Sequence, residues 1–160
     1  LLLNPTFFSL FIGNNDVLLW ASAGGPSLDP NFQIMGATPT ITPVAEFSDS
    51  IDVIVNALTA KGAKGIIVNI AEITGAAFFT FNKPNTDYYI INESGDTVKM
   101  RETDMLLLTA PQDSLLCHGM GATKGYPIPK QYTLTKEQQA QVSAAIAGYN
   151  AKLKAVAEAK

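Results

Sequence analysis

The chain of 160 residues is 47% hydrophobic and 16% charged, with a formal net charge of −3. Such a composition permits one sizeable core and excludes a disordered chain. Its Lys and Arg residues form no cluster and do not interleave with aromatics, and no apolar run approaches the roughly 18 residues of a membrane span, so neither nucleic acid nor a bilayer core is an expected partner.

The single cysteine, Cys117, excludes an internal disulfide without fixing the redox compartment. No signal peptide is visible. Leu rather than Met at position 1 leads to the expectation that the chain is processed, trimmed or incomplete.

Residues 6–12 read as a fully buried strand: short, apolar, and bounded by Pro5 and Gly13. Gly13-Asn14-Asn15-Asp16 interrupts it, and residues 17–23 predict a short helix ended by Gly24-Gly25. From Pro26 to Thr42 the three prolines at 26, 30 and 39 predict a loop. Thr42-Pro43 then opens a predicted helix over 43–61, with Thr42 as N-cap. Phe47, Ile51, Val55 and Leu58 recur at helical spacing, and Gly62 closes it. A second buried strand is predicted at 65–70. Strand, helix and strand, with both strands apolar throughout, predict a parallel α/β unit.

Residues 88–100 predict a hairpin turning at Glu93-Ser94-Gly95-Asp96, projecting from the sheet, with Tyr88 and Tyr89 in hairpin packing. Residues 104–109 predict a third buried strand, parallel to the other two. A loop rich in Gly, Pro and Lys follows. A final predicted helix over 135–158 begins with the capping-box pattern Thr135-Lys136-Glu137-Gln138 and carries Val142, Ile146, Tyr149, Leu153 and Val156 on one face.

The break at 13–16 admits two readings. In one it is a strand-to-helix turn, with Gly13 supplying permissive dihedrals and Asp16 capping the helix at Val17. In the other it stands at the carboxyl end of a strand, where ligands bind in open α/β sheets, and the Asn15 amide donates to a developing oxyanion. Asn69, at the end of the second strand, faces the same edge. Asp49 and Asp52 read as the solvated face of the first long helix, and Lys61 and Lys64 as the flanks of a turn.

The stretch "PTFFSLFIGNNDVLLWASAGG" resembles the G-x-N-D block of the SGNH, or GDSL, hydrolases, and most of all the extracellular lipase/esterase-like members found in Bacteroidetes. "GAKGIIVNIAEITGAAFF" and "TDMLLLTAP" are similar to the strand segments that follow in that group, and "YTLTKEQQAQVSAAIAGYNAKLKAVA" to a later helix. The resemblance spans nearly the whole chain. It implies a three-layer, flavodoxin-like parallel sheet with flanking helices, here incomplete and carrying a β-hairpin insertion. Residues 1–160 would form one α/β domain, a fragment of a longer one. It also implies a secreted, periplasmic or cell-surface bacterial protein acting on a small-molecule, carbohydrate or lipid ester without a cofactor. Asn15 matches the oxyanion-hole asparagine, Gly13 the glycine of the block, and Asp16 its final, structural acid.

The departures are as informative. No G-D-S nucleophile block precedes residue 13, and Ser9 inside a strand is a poor substitute. The D-x-x-H block is absent. The only histidine, His118, follows Asp113 at D-x-x-x-x-H spacing and reads as a loop residue rather than a base. Cys117 beside it forms no dyad by default, since adjacent extended residues point opposite ways. One His and one Cys make no tetrahedral zinc shell, so no metal is expected. The chain alone thus reads as a hydrolase segment that pairs with missing segments or another chain. The alternative is a binding or structural module of a bacterial surface protein.

Overall fold

A computed structural model describes residues 5–26 and 39–159. The loop expected over 26–42 therefore lies partly outside the described residues. The fold is mixed α/β. Strand β1 (Phe7–Leu10) pairs in parallel with β2 (Lys64–Ile67), with Ser9 opposite Ile66 and Leu10 opposite Ile67. Between them lie α1 (Asn15–Ser22) and α2 (Val44–Thr59). The parallel pairing is as predicted.

The burial of these strands is not. Alternate side chains divide the pair into two faces. Leu10 and Ile67 pack against the helical core. On the other face Phe7, Phe11 and Ile66 are 59%, 62% and 57% exposed. Helices cover one side of the sheet only among the described residues, which corrects the three-layer expectation to a mixed α/β arrangement with a two-stranded parallel sheet. An apolar strand sequence records what a face can bury, not whether a partner covers it.

The third expected strand is a second correction. Within 104–109 only β5 (Met105–Leu106) is extended, and it pairs antiparallel with β6 (Thr133–Leu134) rather than joining β1 and β2. Leu107 instead donates its N–H to the Tyr132 carbonyl at 2.8 Å, and Ala110 turns back onto Leu107 at 3.0 Å, so the run ends as a turn. The hairpin is present, as β3 (Tyr89–Ile91) against β4 (Thr97–Lys99). It belongs to a second small core made by Ile90, Met100, Leu106, Ala110, Leu115, Met120 and Ile128, with Tyr88 packed against it. Two short helices, α3 (Ala77–Thr80) and α4 (Gln112–Leu116), complete the chain between these strands, the second of them within the stretch expected to be loop.

Helix α5 (Lys136–Glu158) gathers the larger core. Thr135 accepts from Gln138 N–H and Gln138 reaches back to Thr135 N–H, the predicted capping box. Val142, Ile146, Tyr149, Leu153 and Val156 are all buried, against Val17, Trp20, Phe47, Ile51 and Val55. The Tyr149 ring stacks on Phe47 with centroids 4.2 Å apart. Thr42 does not cap α2; Pro43 holds that position. The Thr42 carbonyl accepts from the Tyr149 hydroxyl, and its N–H donates to the Asp16 carbonyl at 3.1 Å. Gly62 closes the turn after α2 as predicted, at φ +83°. Asp52 is not simply solvated: it pairs with Lys152 of α5 at 2.5 Å.

Candidate functional site

The site singled out in the sequence forms at the carboxyl end of β1. Pairing continues past the strands, with Val68 N–H donating to the Leu10 carbonyl at 2.9 Å. The chain then turns at Gly13, whose φ of +112° only glycine adopts readily. A Cβ there would stand 2.3 Å from Ile70 Cδ1 and 3.0 Å from Phe47 Cε2, so the absence of a side chain also lets Ile70 close over the turn. Asp16 N–H donates to the Gly13 carbonyl at 3.2 Å, and Leu18 N–H to that of Asn14 at 2.9 Å, which starts the helix.

Asn15 is the first residue of α1 and is exposed. A side-chain amide donates hydrogen bonds without titrating. The predicted cap moves: Asn14 precedes the helix, and Asp16 lies inside its first turn, where its charge favours the positive helix end. Asp16 also acts on Tyr149, whose phenol is pushed up to about 12, first by burial and then by the Asp16 charge. Asn69 is exposed beyond β2.

The nucleophile and base are not brought to this edge. Ser9 lies mid-strand opposite Ile66, on the exposed face. His118 Nε2 meets Asp113 Oδ2 at 3.0 Å across the end of α4, with both side chains mostly in solvent, and Cys117 is exposed beside them. Leu115 of α4 sits in the second core, whereas Val17 and Trp20 of α1 sit in the first. Among the described residues no hydrogen bond joins His118 or any serine to Asn15.

A second polar region escaped the sequence reading. The β3–β4 hairpin leans over the start of α5 and encloses a cleft of about 410 Å³. Arg101 is clasped there between two carboxylates. Its Nη2 lies 2.7 Å from Asp104 Oδ1 and 2.5 Å from Glu137 Oε2, and its Nη1 donates to Glu137 Oε1 at 2.7 Å. Asp104 is buried and also accepts from the backbone N–H groups of Arg101 and Lys136, at 2.8 and 3.1 Å. Hydrogen bonding to Arg101 holds the Glu137 carboxyl at about 2, and both carboxylates raise the Arg101 guanidinium above its ordinary value. Thr135 Oγ1 donates to Glu93 Oε1 at 3.2 Å. Lys130 is buried below the hairpin turn, and desolvation lowers its pKa.

Comparison with family models, with curated proteins and with solved structures finds no match to this chain. The candidate site therefore stands on its geometry: an exposed asparagine just past the end of a parallel strand, and a separate charged cleft.

Proposed function

We propose that the chain is the central part of a secreted or surface serine ester hydrolase of the SGNH type, in which the Asn15 amide is one donor of the oxyanion hole. The placement of Asn15 carries this reading. Gly13 turns the backbone sharply at the carboxyl end of a parallel strand, and Asn15 stands exposed in the first turn of the helix that follows. An amide so placed stabilises the negative oxygen of a tetrahedral intermediate. The serine that attacks the ester carbonyl and the histidine that takes its proton come from other segments of the parent protein. The exposed Phe7, Phe11 and Ile66 face supports the same reading, since parallel sheets are ordinarily covered on both sides.

The test uses the full-length parent product. Its N-terminal sequence and intact mass show whether a G-D-S block precedes residue 13 and a D-x-x-H block follows. In an active parent, Asn15→Ala lowers kcat by on the order of 10²–10³ with a nearly unchanged melting temperature. Asn15→Asp is at least as harmful, because it sets a negative charge where the oxyanion develops. Wild-type turnover in both variants reduces Asn15 to a turn residue. A parent lacking both blocks is instead a binding or structural module.

A further inference from the structure

The cleft between the hairpin and the start of α5 is remote from Asn15. Glu137 at the cleft and Tyr149 near Asp16 are 12 residues apart on α5, about 18 Å of helical rise. Its chemistry follows from counting hydrogen-bond capacity. A guanidinium has five N–H donors. Arg101 spends four groups of contact on Asp104 and Glu137, through Nε, Nη1 and both hydrogens of Nη2, which leaves one Nη1 hydrogen. Asn92 Oδ1 accepts from Asp96 N–H, which leaves its NH₂ group. Lys99 lines the cleft, but its Nζ donates to the Asp87 carbonyl at 2.6 Å and stands 4.1 Å over the Tyr89 ring, so it is not counted among the spare donors. On the acceptor side Glu93 uses one oxygen for Thr135, which leaves the other. The Glu137 oxygens, in a side chain 58% exposed, each retain a lone pair.

Spare donors on Asn92 and Arg101 and spare acceptors on Glu93 and Glu137 therefore belong to residues that line one cavity, over a floor that includes Ile90 and Val98. A phosphate or carboxylate would meet Glu93, Asp104 and Glu137. A polyamine would meet Lys99 and Arg101. A hydroxyl group is donor and acceptor at once and suits both. The volume lies within the ~300–1,000 Å³ range of small-molecule pockets, while the charged wall opposes an apolar ligand. We propose that the cleft formed by Glu93, Ser94, Val98, Lys99, Arg101 and Glu137 binds a neutral polyhydroxylated ring, a single hexose or N-acetylhexosamine unit. This assignment is independent of the hydrolase reading.

The experiment is an amide NMR titration of the chain with glucose, galactose, mannose and N-acetylglucosamine, beside inorganic phosphate and spermidine. Saturable shifts confined to residues 90–101 and 135–137, with at least one of the sugars, are expected. Glu93→Gln, which keeps an oxygen for Thr135 but loses the carboxylate, weakens that binding about tenfold. Ser94→Trp fills the cleft and abolishes it, with well-dispersed spectra showing that both variants fold. A trisaccharide of the preferred sugar then separates a glycan chain, which binds more tightly, from a free sugar, which binds equally or better. Absence of shifts with all four sugars overturns the assignment. So does equal or tighter binding of phosphate or spermidine, or unaltered sugar binding in folded Ser94→Trp.

Discussion

The side-chain amide of Asn150 spans the backbone of Ile70: Asn150 Oδ1 accepts from Ile70 N–H at 2.8 Å, and Asn150 Nδ2 donates to the Ile70 carbonyl at 2.9 Å. A residue of α5 thus supplies both bonds that a neighbouring strand would give to the chain leaving β2. Ile70 in turn closes over Gly13, so the amide of Asn150 indirectly holds the turn that presents Asn15. Asn150→Ala is expected to cost about 2 kcal/mol, two net hydrogen bonds with partly unsatisfied partners. Asn150→Asp costs at least as much at neutral pH, because its carboxylate faces the Ile70 carbonyl. It recovers in acid, where the protonated acid donates again. Urea melts of the three proteins at two pH values check both statements.

Gly13→Ala should destabilise by about 2–3 kcal/mol, combining the positive φ with a Cβ driven into Ile70. The double variant Gly13→Ala, Ile70→Val relieves the clash and not the backbone strain. Its melting temperature should therefore lie between those of wild type and the single Gly13 variant. If the double variant gains nothing, the contact with Ile70 is unimportant.

Tyr149 makes stability fall in alkali. Its folded pKa of about 12 exceeds the ordinary 10.0. The phenol's contribution is therefore whole below about pH 10 and is lost as pH rises through about 12. Tyr149→Phe loses the bond to the Thr42 carbonyl, about 1 kcal/mol near neutrality. The gap between the two proteins should narrow from pH 9 to pH 11.5, which thermal melts across that range would reveal.

The two halves of the Arg101 clasp differ in cost. Arg101→Met strands the buried Asp104 carboxylate and is expected to cost on the order of 3 kcal/mol. Glu137→Gln removes only the exposed partner, and its effect should stay within about 1 kcal/mol and shrink with added salt. Comparable losses in both variants would argue against a buried role for Asp104.

Esterase activity offers a direct check on the missing blocks. The 160-residue chain should not hydrolyse p-nitrophenyl acetate above background in a serine-dependent way. Turnover abolished by a serine-directed phosphonate and by His118→Ala would show that the His118–Asp113 pair is catalytic.

The elements that were legible in the sequence are those with local causes. The α5 capping box, the α2 stripe and the hairpin turn each need only neighbouring residues, and each formed where expected. The parallel pairing expected between 6–12 and 65–70, from the order strand, helix, strand and their apolar character, forms between 7–10 and 64–67. What failed depended on distant partners. Residues 104–109 are apolar enough for a central strand, yet only two of them pair, and with a strand near 133. Asp16 has the chemistry of a cap, but Asn14 takes the cap position two residues earlier. At the candidate site Gly13 and Asn15 were readable because the turn is local. The clasp was not: Glu137 lies 36 residues from Arg101, and only the Arg-x-x-Asp spacing hinted at half of it. The His118–Asp113 contact was equally hidden, because residues five apart meet only once the end of α4 turns back.

Gln138 does more than cap its helix. Its Nε2 donates to the Gly24 carbonyl at 2.8 Å, across 114 positions, as Tyr149 reaches Thr42 across 107. During synthesis these partners emerge far apart in time. At 5–20 residues per second, roughly 5–20 s separate Thr42 from Tyr149. Until α5 leaves the ribosome, Val17, Trp20, Phe47 and Ile51 lack the surface that buries them. A nascent chain stalled before residue 136 would therefore be a client for chaperones, and protease resistance in its N-terminal half would arrive late and all at once.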